Sequence, residues 1–192
     1  MIKRYTKRPI YLDKIKPFID KDIIKVIVGQ RRVGKSYLLF QIMDLIRQKR
    51  GNANIIYINK ELNEFDSIKN YQDLLAYIKN NTKGRMNYVF IDEIQDIEKF
   101  EKALRSLKAE GKYDIYCTGS NANLLSGELA TYLSGRYVEI KVFSLSYKEF
   151  LVFHKLKENG ESFLKYIKYG GLPYLINLEL NDDVVYEHLK NI

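Results

Sequence analysis

Residues 29–36 read Gly-Gln-Arg-Arg-Val-Gly-Lys-Ser, two glycines with four residues between them and Lys-Ser directly after the second. That spacing has physical content. Gly29 and Gly34 let the backbone turn tightly and bring the N–H groups of Gln30, Arg31, Arg32 and Val33 up against a phosphate. Lys35 is placed to reach the β- and γ-phosphates of a nucleotide, and the Ser36 hydroxyl offers an oxygen to Mg2+. A helix starting here, with Tyr37 in its first turn, points its positive end at the anion. The pattern carries weight only between a strand and a helix. Before it, Ile23–Val28 is a β-branched run of strand type; after it, Tyr37–Ile46 is rich in apolar residues compatible with a helix. Strand, glycine loop and helix together restrict the chain to an α/β domain built around a phosphate site. A glycine turn in an unrelated α/β domain leaves Lys35 and Ser36 unexplained.

A second signature follows downstream. Tyr88-Val89-Phe90-Ile91 runs straight into Asp92-Glu93. A continuous apolar run is what a strand buried on both faces of a parallel sheet looks like. Acids at its carboxyl end sit where open α/β sheets place their ligands. Asp92 would hold Mg2+, and Glu93 would orient and deprotonate an attacking water. A solvated acidic loop is the bland alternative, and the phosphate loop upstream weighs against it.

Between and beyond these signatures the pattern alternates strand and helix. A leading segment, residues 1–22, is expected to be exposed apart from a short helix near Leu12–Ile19, with Pro9 and Pro17 as punctuation. The first helix after the loop should end near Gly51. Ile55–Ile58 reads as strand two, Tyr71–Asn80 as a helix, and Ile97–Glu110 as another, with Ile97, Phe100, Ala103, Leu104 and Leu107 on its core face. Strand four, Asp114–Thr118, ends in Gly119-Ser120-Asn121. Ser120 and Asn121 at that strand end could position the water or sense the γ-phosphate, and they serve equally as helix N-caps. A helix over Asn123–Leu133 precedes strand five, Tyr137–Val142, whose alternation suits a sheet edge. From Ser144 only helical pattern remains. It opens on the capping box Ser146-Tyr147-Lys148-Glu149, continues through Glu161–Tyr169, and ends with Asp182–Ile192. Residues 1–143 are thus expected to form the nucleotide-binding core and 144–192 a helical lid segment.

The charge is unevenly spread. Residues 1–35 hold eleven Lys and Arg against three Asp, which accounts for the whole net charge of +8. Lys3, Arg4, Lys7 and Arg8 could meet nucleic acid or an acidic partner, or form a solvated basic tail. The single cysteine, Cys117, cannot make an internal disulfide, and with only His154 and His188 beside it a Cys/His metal site is not expected. No apolar run approaches 18 residues and the start, Met-Ile-Lys-Arg-Tyr, lacks an apolar stretch, so neither a membrane span nor a secretory signal is expected. A cytoplasmic setting fits these features.

With both signatures placed, the chain resembles AAA+ ATPases. It looks most like the prokaryotic branch, near the signal-transduction ATPases, whose core is followed by a C-terminal domain of unknown function. The landmarks are residues 29–36, V-F-I-D-E-I-Q at 89–95, T-G-S-N at 118–121, L-S-G-R-Y at 133–137, S-L-S-Y-K-E-F at 144–150 and G-G-L-P-Y-L at 170–175. The resemblance implies a three-layer P-loop NTPase sandwich with a parallel five-stranded sheet of order 5-1-4-3-2, followed by a partial helical lid. It implies ATP and Mg2+ as ligands. It sets Arg136, just before strand five, where such proteins carry an arginine finger that reaches a neighbouring subunit's γ-phosphate; a surface arginine at a strand start is the equal alternative. Pro173 looks like the proline of a G-x-P motif that touches adenine from the lid. Three departures stand out: Ser144 replaces an expected proline, no arginine follows Arg136, and relatives continue into a further domain, so the uncapped end at Ile192 reads as a shortened chain or a naturally short protein.

The expected activity is therefore Mg2+-dependent ATP hydrolysis with a mechanical or regulatory output. A slow ATP/ADP switch and a DNA-associated ATP-binding module are the alternatives. A GTPase is disfavoured because Asn59-Lys60-Glu61 is followed by Leu62 rather than by the aspartate that reads guanine. A small-molecule kinase is disfavoured because Glu93 beside Asp92 suits water activation.

Overall fold

The structure, a computed structural model, describes residues 5–120 and 133–191. Five strands, β1 (Ile24–Val28), β2 (Asn54–Asn59), β3 (Asn87–Asp92), β4 (Tyr113–Gly119) and β5 (Tyr137–Lys141), form one sheet in the order β2-β3-β4-β1-β5. Every pairing is parallel. This is the expected order, written from the other edge. The central strands β1, β3 and β4 are buried along their whole length, as continuous apolar runs require; β5, at the edge, is mostly half-exposed or exposed.

Alternate residues of each strand face opposite layers. Ile27, Tyr88, Phe90, Tyr116 and Ile140 pack with α1 (Pro9–Ile15) and α2 (Lys35–Lys49). Val26, Ile58, Val89, Ile91 and Cys117 pack with α3 (Tyr71–Asn80) and α4 (Phe100–Glu110). The helices are stopped and started locally. Asn70 and Asp73 form a capping box at the head of α3, and Gly111, at φ 66°, ends α4.

Two expectations are corrected. The leading segment is exposed only in part: Lys7 and residues 20–22 face solvent, whereas Tyr5 and Thr6 are half-buried. Tyr11, Leu12, Ile15 and Ile19 lie in the core and Arg8 is buried, because α1 covers the sheet face beside α2. Its helix begins earlier than expected, at Pro9, where a first-turn proline loses no hydrogen bond, and Pro17 falls in a 3-10 turn. The helix expected from Ile97 begins at Phe100. Lys99 has φ 56°, and Ile97 and Glu98 are extended, with Glu98 bridging to Asn70. Ile97 is buried for its own reason, under α3, and so mimics a helical position.

At the amino edge of the sheet, Lys25 and Asp114 form a fully buried ion pair, and Asp114 also accepts from Tyr116 Oη at 2.9 Å and the Asp20 backbone N–H at 2.8 Å. Burial pulls the Lys25 ammonium below its ordinary range.

After β5 only helices follow among the described residues: α5 (Tyr147–His154), α6 (Gly160–Tyr169), a 3-10 turn at Pro173–Asn177, and α7 (Asp182–Lys190). The expected capping box is present, with Ser146 accepting from the Glu149 N–H and Glu149 accepting from Ser146. Tyr169, Leu175 and Val185 give this helical segment its own small core. The helix expected over Asn123–Leu133 falls mostly outside the described residues.

Candidate nucleotide site

β1 delivers the chain to Gly29 at the carboxyl edge of the sheet. A methyl group on Gly29 would lie 2.2 Å from the Val142 carbonyl oxygen, so only glycine fits there. Gly34, at φ 93°, is the left-handed N-cap of α2. Gln30, Arg31 and Arg32 are exposed, while Val33 is buried under the loop. Lys35 is buried and folds back over the loop, its Nζ donating to the carbonyls of Gly29 at 3.1 Å and Gln30 at 3.0 Å. It lies 3.7 Å from Glu93 Oε1. Burial pulls the Lys35 ammonium below the ordinary lysine range, with the charges of Glu93 and Asp92 opposing that pull. Ser36 is half-buried in the first turn of α2, and Tyr37 beside it is exposed.

The two acids stand at the end of β3, two strands from β1. Asp92 is fully buried. Its Oδ1 accepts from Thr118 Oγ1, and its Oδ2 from Tyr57 Oη at 3.3 Å. Burial, and then the Asp92 charge, raise the Tyr57 phenol above its ordinary range, so it remains a donor at neutral pH. Glu93 takes a left-handed backbone, φ 55°, and its N–H donates to the same Thr118 oxygen at 3.0 Å. Its Oε2 accepts from Gln95 Nε2 at 2.6 Å. One hydroxyl on β4 thus fixes Asp92's carboxylate and the turn that aims Glu93. Among the described residues, no three His, Cys, Asp or Glu side chains gather into a metal cage. A hydroxyl and one buried carboxylate nonetheless fit Mg2+, which prefers oxygen and takes most of its ligands from water and phosphate.

Ser120 follows β4 directly, and since Gly119 pairs with Val28, it lies across from Gly29 at the same sheet edge. Asn121 lies outside the described residues. Arg136 is exposed at the amino end of β5, its carbonyl accepting from the Ile24 N–H at 3.0 Å. That is the opposite edge of the sheet from its own phosphate loop, so it does not enter the site of its own chain. Pro173 does approach the loop: a methyl on Gly34 would lie 3.8 Å from its Cγ. The turn before it is tied down where Leu145 N–H donates to the Gly171 carbonyl at 2.6 Å, too close for any side chain at Gly171.

Three contributors carry no motif of their own. Thr118, Tyr57 and Gln95 orient the acids; Thr118 and Gln95 stand in quoted landmarks with no role assigned, and Tyr57 stands in none. A fourth, Arg8, contradicts its expected place in a solvent-facing basic tail. Its Nη1 donates to the Val33 carbonyl of the loop at 3.0 Å. The leading segment at Tyr5 and Thr6 and the C-terminal helical segment at residues 153–156, 176–178 and Leu180 wall a groove of about 680 Å3. None of residues 29–36 lines this groove; along the chain one wall leads to Arg8 and the other back to Pro173, the two residues that approach the loop.

The AAA domain family matches residues 21–151, about two thirds of the chain. An uncharacterized protein of Haemophilus influenzae is 44% identical over 92% of this chain and 46% of its own length. The uncharacterized protein MJ1544 of Methanocaldococcus jannaschii is 35% identical over 88% of this chain and 40% of its own. The chain therefore spans less than half the length of these relatives. AMPPCP-bound DnaA from Aquifex aeolicus superposes with a TM-score of 0.59 at 14% identity, covering 92% of this chain and 61% of that one, a likeness of fold.

Proposed function

This chain belongs to the AAA domain family, within the AAA+ superfamily of P-loop ATPases, and from that premise we propose that it binds ATP with Mg2+ and hydrolyses it. The observation that carries the reading is the approach of Lys35 Nζ to Glu93 Oε1 at 3.7 Å, which brings the loop and the end of β3 into one site. On binding, the loop amides of residues 30–34 take the phosphates, and Lys35 leaves the Gly29 and Gln30 carbonyls for the β- and γ-phosphates. Ser36 and Asp92 would hold Mg2+, which neutralises phosphate charge when bound. Glu93, held by Thr118 and Gln95, takes a proton from the water whose oxygen attacks the γ-phosphorus, and ADP leaves. Ser120, from the end of β4, and Asn121, next to it in the sequence, sense the γ-phosphate. The groove between the leading segment and the lid is the site for the base, with Pro173 at its loop end.

A general base contributes roughly 10²–10⁴-fold to such a reaction. Glu93→Gln is therefore expected to lower kcat by about that factor while leaving nucleotide affinity within a few-fold. Steady-state phosphate release and equilibrium binding on the same preparation separate the two. Unchanged turnover in Glu93→Gln assigns the base elsewhere.

Arg136 favours a second reading for the isolated chain. Because it stands at the opposite end of the sheet from the loop and residues 137–192 hold no arginine, these residues supply their own site with neither a finger nor a lid arginine. The single chain then acts as a slow ATP/ADP switch, and rapid turnover needs a neighbour. Turnover per subunit that rises with protein concentration in the parent and not in Arg136→Ala distinguishes the two. Nucleic-acid binding now rests on Lys3, Arg4 and Lys7 without Arg8. Affinity for duplex DNA that does not fall with salt removes that alternative.

A further inference from the structure

Arg8 is a cation with every donor committed, and none of its partners is a ligand. Its Nε donates to Glu149 Oε1 at 2.8 Å and its Nη2 to Glu149 Oε2 at 3.1 Å, a two-pronged pairing of guanidinium on carboxylate. Nη1 donates to the carbonyls of Val33 and Phe143, each at 3.0 Å, and Nη2 also reaches the Ser144 carbonyl at 3.4 Å. Five N–H groups meet six acceptors, the sixth being Tyr11 Oη, 3.5 Å from Nη2. Its Cζ lies over the Tyr11 ring, 4.5 Å from the ring centre. Its backbone N–H donates to Gln41 Oε1 on α2 at 2.9 Å.

These acceptors belong to three parts of the protein that the site must coordinate. Val33 is the phosphate loop. Phe143 and Ser144 are the linker that leaves β5. Glu149 is the N3 residue of the box that caps α5, and its Oε2 also accepts from the Ser146 N–H at 3.0 Å. Burial alone would raise Glu149, and the hydrogen bonds from Arg8 and Ser146 outweigh it, holding the carboxyl below its usual range. We propose that Arg8 is a positioning residue that locks the phosphate loop to the first lid helix, so that filling the loop is transmitted to the lid through one guanidinium. This rests on the reading of residues 29–36 as a nucleotide site. It requires arginine: a lysine at position 8 has three donors on a single nitrogen and cannot serve three carbonyls and both oxygens of a carboxylate.

The test uses the fluorescent nucleotide mant-ADP with Mg2+ and hydrogen exchange over residues 144–155, on the parent chain, Arg8→Ala, Arg8→Lys, Glu149→Gln, the Arg8→Ala/Glu149→Gln double variant and Lys35→Ala. In the parent, nucleotide is expected to increase amide protection of α5. Arg8→Ala should weaken mant-ADP binding about tenfold and Glu149→Gln about fivefold. The double variant should bind no worse than Arg8→Ala alone, and Arg8→Lys should recover little. In all of these, saturating nucleotide should no longer change α5 protection. A merely structural arginine would lower the melting temperature and leave affinity and the nucleotide-dependent protection as in the parent, and that result overturns the proposal. Should Arg8→Ala fail to fold, Glu149→Gln, which keeps the volume and the capping geometry, decides on the same two readouts. If the parent binds no mant-ADP and Lys35→Ala is indistinguishable from it, the nucleotide site itself is wrong. Binding in the parent with unaltered variants refutes the role of Arg8 alone.

Discussion

Gly29 shows how little freedom the phosphate loop has. Its α-carbon faces the Val142 carbonyl so closely that a methyl group would sit 2.2 Å from the oxygen. The two backbones meet there because Val142 N–H donates to the Val28 carbonyl at 2.7 Å, extending the β1–β5 pairing to the mouth of the loop. Gly29→Ala must push β5 away or distort the loop, and overpacking of this kind costs about 1–3 kcal/mol. The expected result is a lower melting temperature together with loss of nucleotide binding, read by calorimetry and by titration. A variant as stable as the parent would mean that the loop and Val142 are not in contact. Thr118 makes the complementary point for the acids: its single oxygen donates to Asp92 and accepts from the Glu93 N–H, so the two carboxylates are aimed from a neighbouring strand.

Among the elements, α5 is tied to the phosphate loop through charge. Glu149 has its carboxyl held below its ordinary value by Arg8 and Ser146 against the cost of burial. A carboxylate whose folded pKa is depressed stabilises the fold above its unfolded value, 4.5, and loses that contribution as pH falls through the lower folded value. The melting temperature of the parent is therefore expected to fall more steeply below about pH 4.5 than that of Glu149→Gln, whose amide does not titrate. Parallel curves for the two proteins would show that the pairing adds no stability. The sequence discloses α5 through its capping box, and α2, β1 and β3 through apolar runs bounded by glycines and acids, because each of those signals is local. It does not disclose Arg8. A buried arginine and a solvated one look the same among neighbouring cations, and the difference is made by Glu149, 141 positions away. Ile97 failed in the opposite sense: its burial under α3 continued a helical period into a turn that Lys99 forces with a positive φ. The Thr118–Asp92 contact, 26 positions apart, likewise needs the sheet order before it can be seen.

Taken together, the layers separate stability from chemistry. The amino edge of the sheet holds the buried Lys25–Asp114 pair, and the carboxyl edge holds Lys35, Asp92, Glu93 and Ser120. The sheet order puts β4 between β1 and β3, which is why a residue of β4 can orient acids on β3 while β1 feeds the loop. Among the described residues, the C-terminal helical segment reaches that edge through Arg8–Glu149 and Pro173–Gly34, and Leu145–Gly171 ties its own start to the turn before Pro173. The central claim is that residues 29–36 bind a nucleotide through Lys35. The direct measurement is isothermal titration of MgATP into the parent chain and into Lys35→Ala, with the fold of both checked by circular dichroism. Losing a charge-assisted contact of about 1.5–3 kcal/mol predicts saturable one-to-one binding in the parent and affinity roughly 10–100-fold weaker in the variant. Equal affinity in the two folded proteins, or no binding to either, would contradict the account.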